Sequence, residues 1–170
     1  MIRRNKDVDW SKHLSATDAT YLNERIDPDG WYPMAVFERM GNGILTELAH
    51  DDLYATRIFG SLQVDSLRAL HPTLLVERDP VETLMRFRTM RATFFDFDAL
   101  DVTMLVEGHA RIAIRYYMGA RAEEAASHQT MGFFERLLEL GGARDVRAHF
   151  LERSWAGDPQ TILELEWKSG

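Results

Sequence analysis

Cysteine is absent from the 170-residue sequence. This absence excludes disulfide bonds, thiolate nucleophiles, zinc sites built on thiolates and iron–sulfur clusters. A chain without cysteine also suits a reducing compartment, where free thiols and not disulfides are the rule. We therefore expect a cytoplasmic protein.

Long apolar runs are also missing from the sequence. No window approaches the roughly 18 apolar residues that a membrane-spanning helix needs, so we expect no membrane span. The basic start, residues 1–6, is followed by Asp7 and Asp9 and not by an apolar stretch. A secretory signal is therefore not expected.

Basic charge is scarce, because 20 Lys and Arg residues stand against 27 Asp and Glu residues and the net charge is −7. Binding to nucleic acid depends on basic side chains that neutralise phosphates, so nucleic acid is not an expected partner. The hydrophobic share of 45% is typical of soluble globular proteins and is enough for a core.

The last third of the chain carries the clearest pattern of secondary structure. Asp98–Met118 predicts two strands around Glu107-Gly108, and Arg144–Trp167 predicts two more around Gly157-Asp158-Pro159. Between the two hairpins, Glu123–Leu140 predicts one helix. This order predicts a curved antiparallel sheet with a long helix across it, which is a unit that can enclose a ligand.

The two-residue period of the strands predicts which side chains share a face of the sheet. In the last strand, the residues from Thr161 to Trp167 alternate between an apolar face and a face with Glu164 and Glu166. In the first strand, four apolar side chains are expected on one face: Leu100, Val102, Met104 and Val106.

Helices are predicted before the sheet. Trp31-Tyr32-Pro33 opens the first, and Gly41-Asn42-Gly43 either kinks it or divides it in two. The second runs from Asp51-Asp52 to His71-Pro72, and the third begins after Asp79-Pro80. The buried side of the second helix is expected to carry Leu53, Ile58, Leu62, Leu67 and Leu70.

Helices followed by antiparallel strands predict an α+β fold, in which N-terminal helices pack with the curved antiparallel sheet. Residues 1–30 are polar and are broken by Asp27-Pro28-Asp29-Gly30, so we expect a partly ordered N-terminal arm. Residues 31–170 are then expected to form a single domain.

Three segments together carry a family resemblance: Trp31-Tyr32-Pro33, Arg86-Phe87-Arg88 through Phe94-Phe95-Asp96-Phe97, and Gly132-Phe133-Phe134-Glu135 through Gly157-Asp158-Pro159. In these segments, over about residues 30–168, the chain resembles the superfamily of 4-vinyl-reductase-type and haem–nitric-oxide-binding domains. Within it, the chain is most similar to a bacterial paralogous family of unknown function that was first described in myxobacteria.

The resemblance implies a small-molecule site between the long helix and the sheet, and dimerisation through the helical part. It implies zinc or haem only where the matching residues are present. The cysteines of the metal-binding members are replaced by Gln160 or Thr161, and the Tyr-x-Ser-x-Arg haem signature is absent. We therefore expect neither zinc nor haem, and no other cofactor.

No catalytic set or metal site is expected. A triad of Ser127, His109 and Asp101 can be drawn on paper, but no Gly-x-Ser-x-Gly motif supports it. None of the six histidines pair at the i, i+4 spacing of a helical metal site.

The candidate site is a ligand pocket, since such pockets are mostly apolar with a few polar groups. Each candidate keeps an alternative: the aromatic residues are equally typical of plain core, His128 of a satisfied helix residue, and the arginines of a solvated face. The predicted lining is Phe95, Tyr116, His128 and Phe134, with Arg88 or Arg115 as anion contacts.

These observations predict a non-enzymatic signalling or sensor module that binds an apolar or amphipathic small molecule between the long helix and the sheet. A first alternative is a ligand-free domain for a protein partner or a homodimer. A second is an accessory enzyme of tetrapyrrole reduction.

Overall fold

The computed structural model describes residues 1–27 and 30–170, so Pro28 and Asp29 of the predicted break lie outside the described residues. The described chain contains two compact units, Met1–Leu53 and Tyr54–Gly170. The predicted boundary between an arm and a domain at residue 30 stays a prediction.

The first unit contains two α-helices, α1 (Ala16–Asn23) and α2 (Met34–Glu47). Ser15 and Asp18 form a capping box at the start of α1, in which each side chain accepts the backbone N–H of the other residue. The buried carboxylate of Asp18 also accepts two hydrogen bonds of 2.7 Å from Arg39. This bidentate pair joins α1 to α2.

Helix α2 is continuous through Gly41-Asn42-Gly43, so the predicted division of this helix is wrong. Packing gives the reason at one of the two glycines. A Cβ atom at Gly43 would lie 3.1 Å from the side chain of His13, so glycine at this position lets His13 pack closely against α2. His13 in turn lies 2.7 Å from Glu47 at the end of α2.

The second unit contains three long helices and a four-stranded antiparallel sheet with the strand order β1-β2-β4-β3. The α+β class with an antiparallel sheet and a hairpin–helix–hairpin order is confirmed. The helices are α3 (Leu53–Leu70), α4 (Pro80–Met90) and α5 (Ala120–Leu140), and the strands are β1 (Leu100–Val106), β2 (His109–Ile114), β3 (Arg144–Glu152) and β4 (Thr161–Lys168).

The start of α4 is where the sequence predicted it. The Asp79 side chain accepts the backbone N–H of Glu82, and Pro80 occupies the first turn, where its missing N–H leaves no helical hydrogen bond unmade.

The predicted buried side of α3 is wrong. The buried residues are the small ones, Thr56, Gly60 and Val64, whereas Leu53 and Leu67 are half-buried. The other three apolar residues of the predicted set are exposed: Ile58 by 44%, Leu62 by 58% and Leu70 by 70%.

A close crossing between α3 and α5 explains this reversal. A Cβ atom at Gly60 would overlap the backbone carbonyl of Gln129, and one at Gly132 would overlap the backbone carbonyl of Arg57. The two helices therefore touch backbone to backbone, which only glycine permits. Beside the crossing, Arg57 of α3 forms an ion pair with Glu135 of α5.

The core of the second unit lies between α5, α4 and one face of the sheet. The ring of Phe134 on α5 packs edge to face against Phe87 on α4, with 4.9 Å between ring centroids. The apolar face predicted for β4 is buried throughout, and Ile162 and Glu164 on the opposite face are buried as well. The fully buried side chains include Phe87, Phe134, Leu84, Leu137, Leu138, Ile112, Leu163 and Leu165.

The single face predicted for the first strand is wrong. The register of β1 against β2 shifts between Val102 and Met104. Val102 lies opposite the core residue Ile112, but Met104 lies opposite Arg111 on the other face, and Val106 is exposed. An extra residue in one strand moves every later side chain to the opposite face.

The face of the sheet away from the core carries one buried carboxylate, Glu164. The Nε2 of His109 and the Nε of Arg111 donate to its Oε1 at 2.7 and 2.9 Å, and the Nε2 of His149 lies 3.1 Å from its Oε2. The bond from His109 is the largest cause that lowers the pKa of Glu164; burial opposes it, and Arg111 adds to it.

We expect Gly132→Ala to destabilise the protein by about 1–3 kcal/mol, because the added methyl group has to push α5 away from α3. Alanine by itself favours a helix by up to about 1 kcal/mol over glycine, so the loss can come only from the crossing. Urea unfolding measures the difference. The control is Gly41→Ala, because a Cβ there meets nothing within 4 Å; a G132A protein as stable as wild type would contradict the close crossing.

We expect Glu164→Gln to destabilise the protein near neutral pH, and this loss to shrink in acid. A carboxylate whose pKa is lowered in the folded state stabilises that state above its unfolded pKa, and the contribution disappears as pH falls through the folded pKa. Unfolding free energies of wild type and E164Q should therefore approach each other below about pH 4.5, the ordinary pKa of the group, and converge as the pH passes below its lowered pKa in the folded state. Glu166→Gln, on the neighbouring exposed position, is the control; a pH-independent gap for E164Q would refute the role of the charge.

Candidate functional site

A cavity of about 480 Å³ lies where the chain leaves β2 and enters α5. We call it the α5 cavity. Its walls come from the end of β2, the first turn of α5 and the connection between β3 and β4. The lining residues are Ile114, Arg115, Tyr117, Met118, Ala120, Glu123, Ser154, Trp155, Pro159 and Gln160.

Glu123 fixes the connection between β2 and α5. Its side chain is almost fully buried, and its two carboxylate oxygens accept the backbone N–H groups of Tyr116 at 3.3 Å and Met118 at 3.1 Å. A negative charge in the first turn of α5 also interacts favourably with the helix dipole. One carboxylate therefore fixes both ends of the short segment that forms the lip of the cavity.

Tyr117 stands between these two fixed amides in a left-handed conformation with φ of +57°. Its side chain is 78% exposed at the lip, and its ring lies 5.9 Å from that of Phe97. A non-glycine residue in this region costs about 1–3 kcal/mol, and such strain is concentrated at binding sites.

Trp155 forms the wall opposite the lip, on the short 3₁₀ turn Ser154–Ala156. Its ring packs edge to face against Phe150 at 5.0 Å and lies 6.2 Å from the ring of His128 on α5. Burial lowers the pKa of His128 and so favours the neutral form of its ring. The indole is therefore held in place by two rings before any ligand arrives.

Arg115 brings a positive charge to the cavity. In the described part of the chain, its one side-chain hydrogen bond goes to the neutral amide oxygen of Gln160, at 3.3 Å. Ser154 is engaged elsewhere, because its hydroxyl and its N–H both lie within 3.1 Å of the Thr161 hydroxyl. The polar groups of the cavity are thus one cation, one neutral amide and one carboxylate that is already hydrogen-bonded.

The six residues predicted for the site fall into three positions. Arg115 lines the cavity itself, and His128 lies behind its Trp155 wall. Tyr116 lies behind the lip, where its hydroxyl is 2.5 Å from that of Thr130 and burial raises the pKa of the phenol. Phe95 packs on Tyr116 with 5.8 Å between ring centroids.

The remaining two residues lie apart from the cavity. Phe134 is fully buried in the core against Phe87, and Arg88 is exposed on α4. Sequence reasoning did not find Trp155 or Gln160 as lining residues. A signal existed for Trp155, since a large aromatic residue in a turn between two strands has no core position to fill.

The helical histidine and the haem-signature positions of the second unit decide whether its residues fit haem. His128 is the one histidine inside an α-helix of the described chain, and the rings of Phe150 and Trp155 pack against it. Tyr117 and Arg121 keep the outer spacing of the haem signature, but Gly119 stands at its serine position. The residues of this unit therefore do not fit haem, and the expectation of a haem-free protein stays a prediction.

Among the residues that the structure describes, no group of three His, Asp or Glu side chains is placed to hold a metal ion. No helix in residues 1–27 and 30–170 is long and apolar enough to cross a membrane.

The sequence itself matches no protein-family profile. It is also not similar to any curated protein. The fold, in contrast, is similar to solved structures of H-NOX domains.

An H-NOX protein from S. oneidensis in the Fe(II)NO ligation state shares 9% identity at a TM-score of 0.65, over 94% of this chain and 86% of that one. A single-residue mutant of T. tengcongensis H-NOX shares 11% identity at a TM-score of 0.63, over 99% and 93%. An oxygen-binding H-NOX domain related to soluble guanylate cyclases shares 11% identity at a TM-score of 0.61, over 87% and 79%.

At such low identity these similarities establish the fold and leave ligand and activity open. The resemblance to haem–nitric-oxide-binding domains is confirmed at the level of fold. The resemblance to 4-vinyl-reductase-type domains and to the myxobacterial family stays a prediction. The chain therefore has the α+β fold of H-NOX domains.

Proposed function

We propose that this protein is a cytoplasmic sensor module that binds an apolar or amphipathic small molecule in the α5 cavity, without haem. The observation that carries the proposal is the cavity itself. Its volume of about 480 Å³ lies within the range of about 300–1,000 Å³ that is typical of small-molecule sites. It lies beside the start of the long helix and the end of β2.

Preorganisation supports binding. Trp155 is held by Phe150 and His128, and the lip is fixed by Glu123. Walls that are ordered before the ligand arrives reduce the entropy that binding must lose. The strained Tyr117 at the lip adds to this picture, because strain persists only where the surrounding structure holds it.

The lining also favours binding over catalysis. It contains no histidine, and its serine hydroxyl is bonded to Thr161. Its carboxylate, on Glu123, is occupied by two backbone N–H groups. An activated nucleophile needs a base within hydrogen-bond reach, and the described lining of the α5 cavity offers no such pair.

A route for the signal follows from the helix crossing. A ligand in the α5 cavity contacts Ala120 and Glu123 in the first turn of α5. Helix α5 touches α3 directly at Gly132 and Gly60, so a shift of α5 displaces α3 as well. A ligand that binds one arrangement of these helices more tightly shifts the population toward it, and a partner protein can read the difference.

A second candidate function is protein interaction or homodimerisation, because α3 exposes the apolar residues Ile58, Leu62 and Leu70. Exposed apolar side chains grouped on one element are typical of interaction surfaces. Sedimentation analysis of wild type and Leu62→Glu tests this candidate. A dimer that L62E dissociates supports it, and a wild-type monomer at all concentrations contradicts it.

We expect Ala120→Trp to abolish ligand binding, because the indole fills the cavity from an exposed position of the first turn. A panel of 2-naphthol, 2-naphthoate, decanol and decanoate should raise the Tm of wild type and quench its tryptophan fluorescence. In A120W, affinity for every probe that binds should fall at least ten-fold. Ala69→Trp, at an exposed position of α3, is the matched control. The proposal is contradicted if wild type binds no probe of the panel, or if A120W binds the probes as tightly as wild type does.

A further inference from the structure

The charge of Arg115 is the feature of the α5 cavity that small-molecule binding alone does not explain. We infer that the ligand is an amphipathic monocarboxylate, with its carboxylate on Arg115 and its apolar body against Trp155. This inference rests on the proposed function, because it concerns the same cavity and names the chemical class that the cavity accepts.

Among the half-buried arginines of the described chain, Arg115 is the one without a carboxylate within salt-bridge distance. Arg39 pairs with Asp18, Arg57 with Glu135 and Arg111 with Glu164. Three more arginines, Arg86, Arg91 and Arg136, also lie within salt-bridge distance of a carboxylate. In the described chain, the side-chain partner of Arg115 is instead the neutral amide of Gln160.

The guanidinium of Arg115 therefore keeps most of its hydrogen-bonding capacity. It has five N–H donors in a planar fork, and one of them is used by Gln160. The side chain is half-buried in the wall of a cavity, so its charge is less well solvated than that of a surface arginine. A planar carboxylate matches this fork in a bidentate arrangement.

The charge balance of the lining favours one negative charge on the ligand. Glu123 also lines the cavity, but its oxygens already accept the N–H groups of Tyr116 and Met118. It therefore does not neutralise Arg115 by contact, yet it repels a second negative charge. A monocarboxylate suits one cation in such a site better than a phosphate dianion does.

The apolar part of the lining fits the body of such a ligand. Trp155 offers an indole held by two rings, and Met118 offers a flexible side chain that adapts to irregular shapes. Ile114 and Pro159 complete this part of the lining. A flat or short apolar group beside one carboxylate satisfies both parts of the cavity.

Titration calorimetry in phosphate-free buffer tests the inference with matched probes: 2-naphthoate, 2-naphthamide and 2-naphthyl phosphate. Wild type should bind 2-naphthoate at least ten-fold more tightly than the amide and more tightly than the phosphate, because charge-assisted hydrogen bonds are the stronger ones. In Arg115→Gln, the affinity for 2-naphthoate should fall to that of the amide, while the amide binds as before.

Two further variants sharpen the result. Arg153→Gln removes an exposed arginine near the cavity that does not line it, and it should leave all affinities unchanged. Arg115→Lys keeps the charge without the planar fork, so its affinity for 2-naphthoate should lie between those of wild type and R115Q. R115K also serves as the variant to measure where R115Q does not fold, as judged by circular dichroism.

The outcomes separate this inference from the proposed function. If wild type binds 2-naphthoate and 2-naphthamide equally, the ligand is not recognised by a carboxylate, and the proposed small-molecule site remains. If 2-naphthyl phosphate binds more tightly than 2-naphthoate, the inference of a single negative charge on the ligand is wrong. Absence of binding by all naphthyl and decyl probes overturns the inference and the proposed function together.

Discussion

The position of α5 is the constraint on which the second unit depends. One side of this helix is fully buried at Phe134, Leu137 and Leu138, and Phe134 packs against Phe87 of α4. Another side touches the backbone of α3 at Gly132, where no other residue fits. A helix that is held on two sides cannot slide along the sheet without losing one of these contacts. Its first turn is therefore placed reproducibly beside the end of β2.

The α5 cavity follows from that placement. Glu123 on the first turn reaches back to the amides of the segment that leaves β2, and this bond shapes the lip around Tyr117. His128, further along α5, supports Trp155 from behind. The same helix thus supplies the carboxylate that shapes one wall and the ring that supports the other. The proposed ligand site and the packing against α3 therefore share one helix.

The sequence predicts those parts of the fold that depend on local pattern. The apolar face of β4 and the start of α4 at Asp79-Pro80 each follow from a few neighbouring residues, and the structure has both. The buried side of α3 was missed because it depends on Gly132, which is 72 positions from Gly60 in the chain. The bulge in β1 was missed because four alternating apolar residues look regular until the partner strand is known.

The candidate site, like the fold, contains some residues that the sequence predicted and others that only the tertiary structure brings together. Arg115 was proposed as an anion contact, and it lines the α5 cavity. Trp155 was missed, because it is 40 positions from Arg115 in the chain and only the tertiary structure brings both residues to one cavity. Phe134 was proposed for the site as an aromatic residue on the long helix, and the structure places it in the core.

NMR of the indole N–H protons of the tryptophan side chains tests most directly the central claim, which is that the α5 cavity binds a ligand beside Trp155. The chain has four tryptophans, so four indole N–H signals are expected, and Trp155→Phe identifies the one that belongs to the α5 cavity. Addition of 2-naphthoate should shift the Trp155 signal and leave those of Trp10, Trp31 and Trp167 in place. A ligand that moves one of the other three signals, and not that of Trp155, would contradict the account.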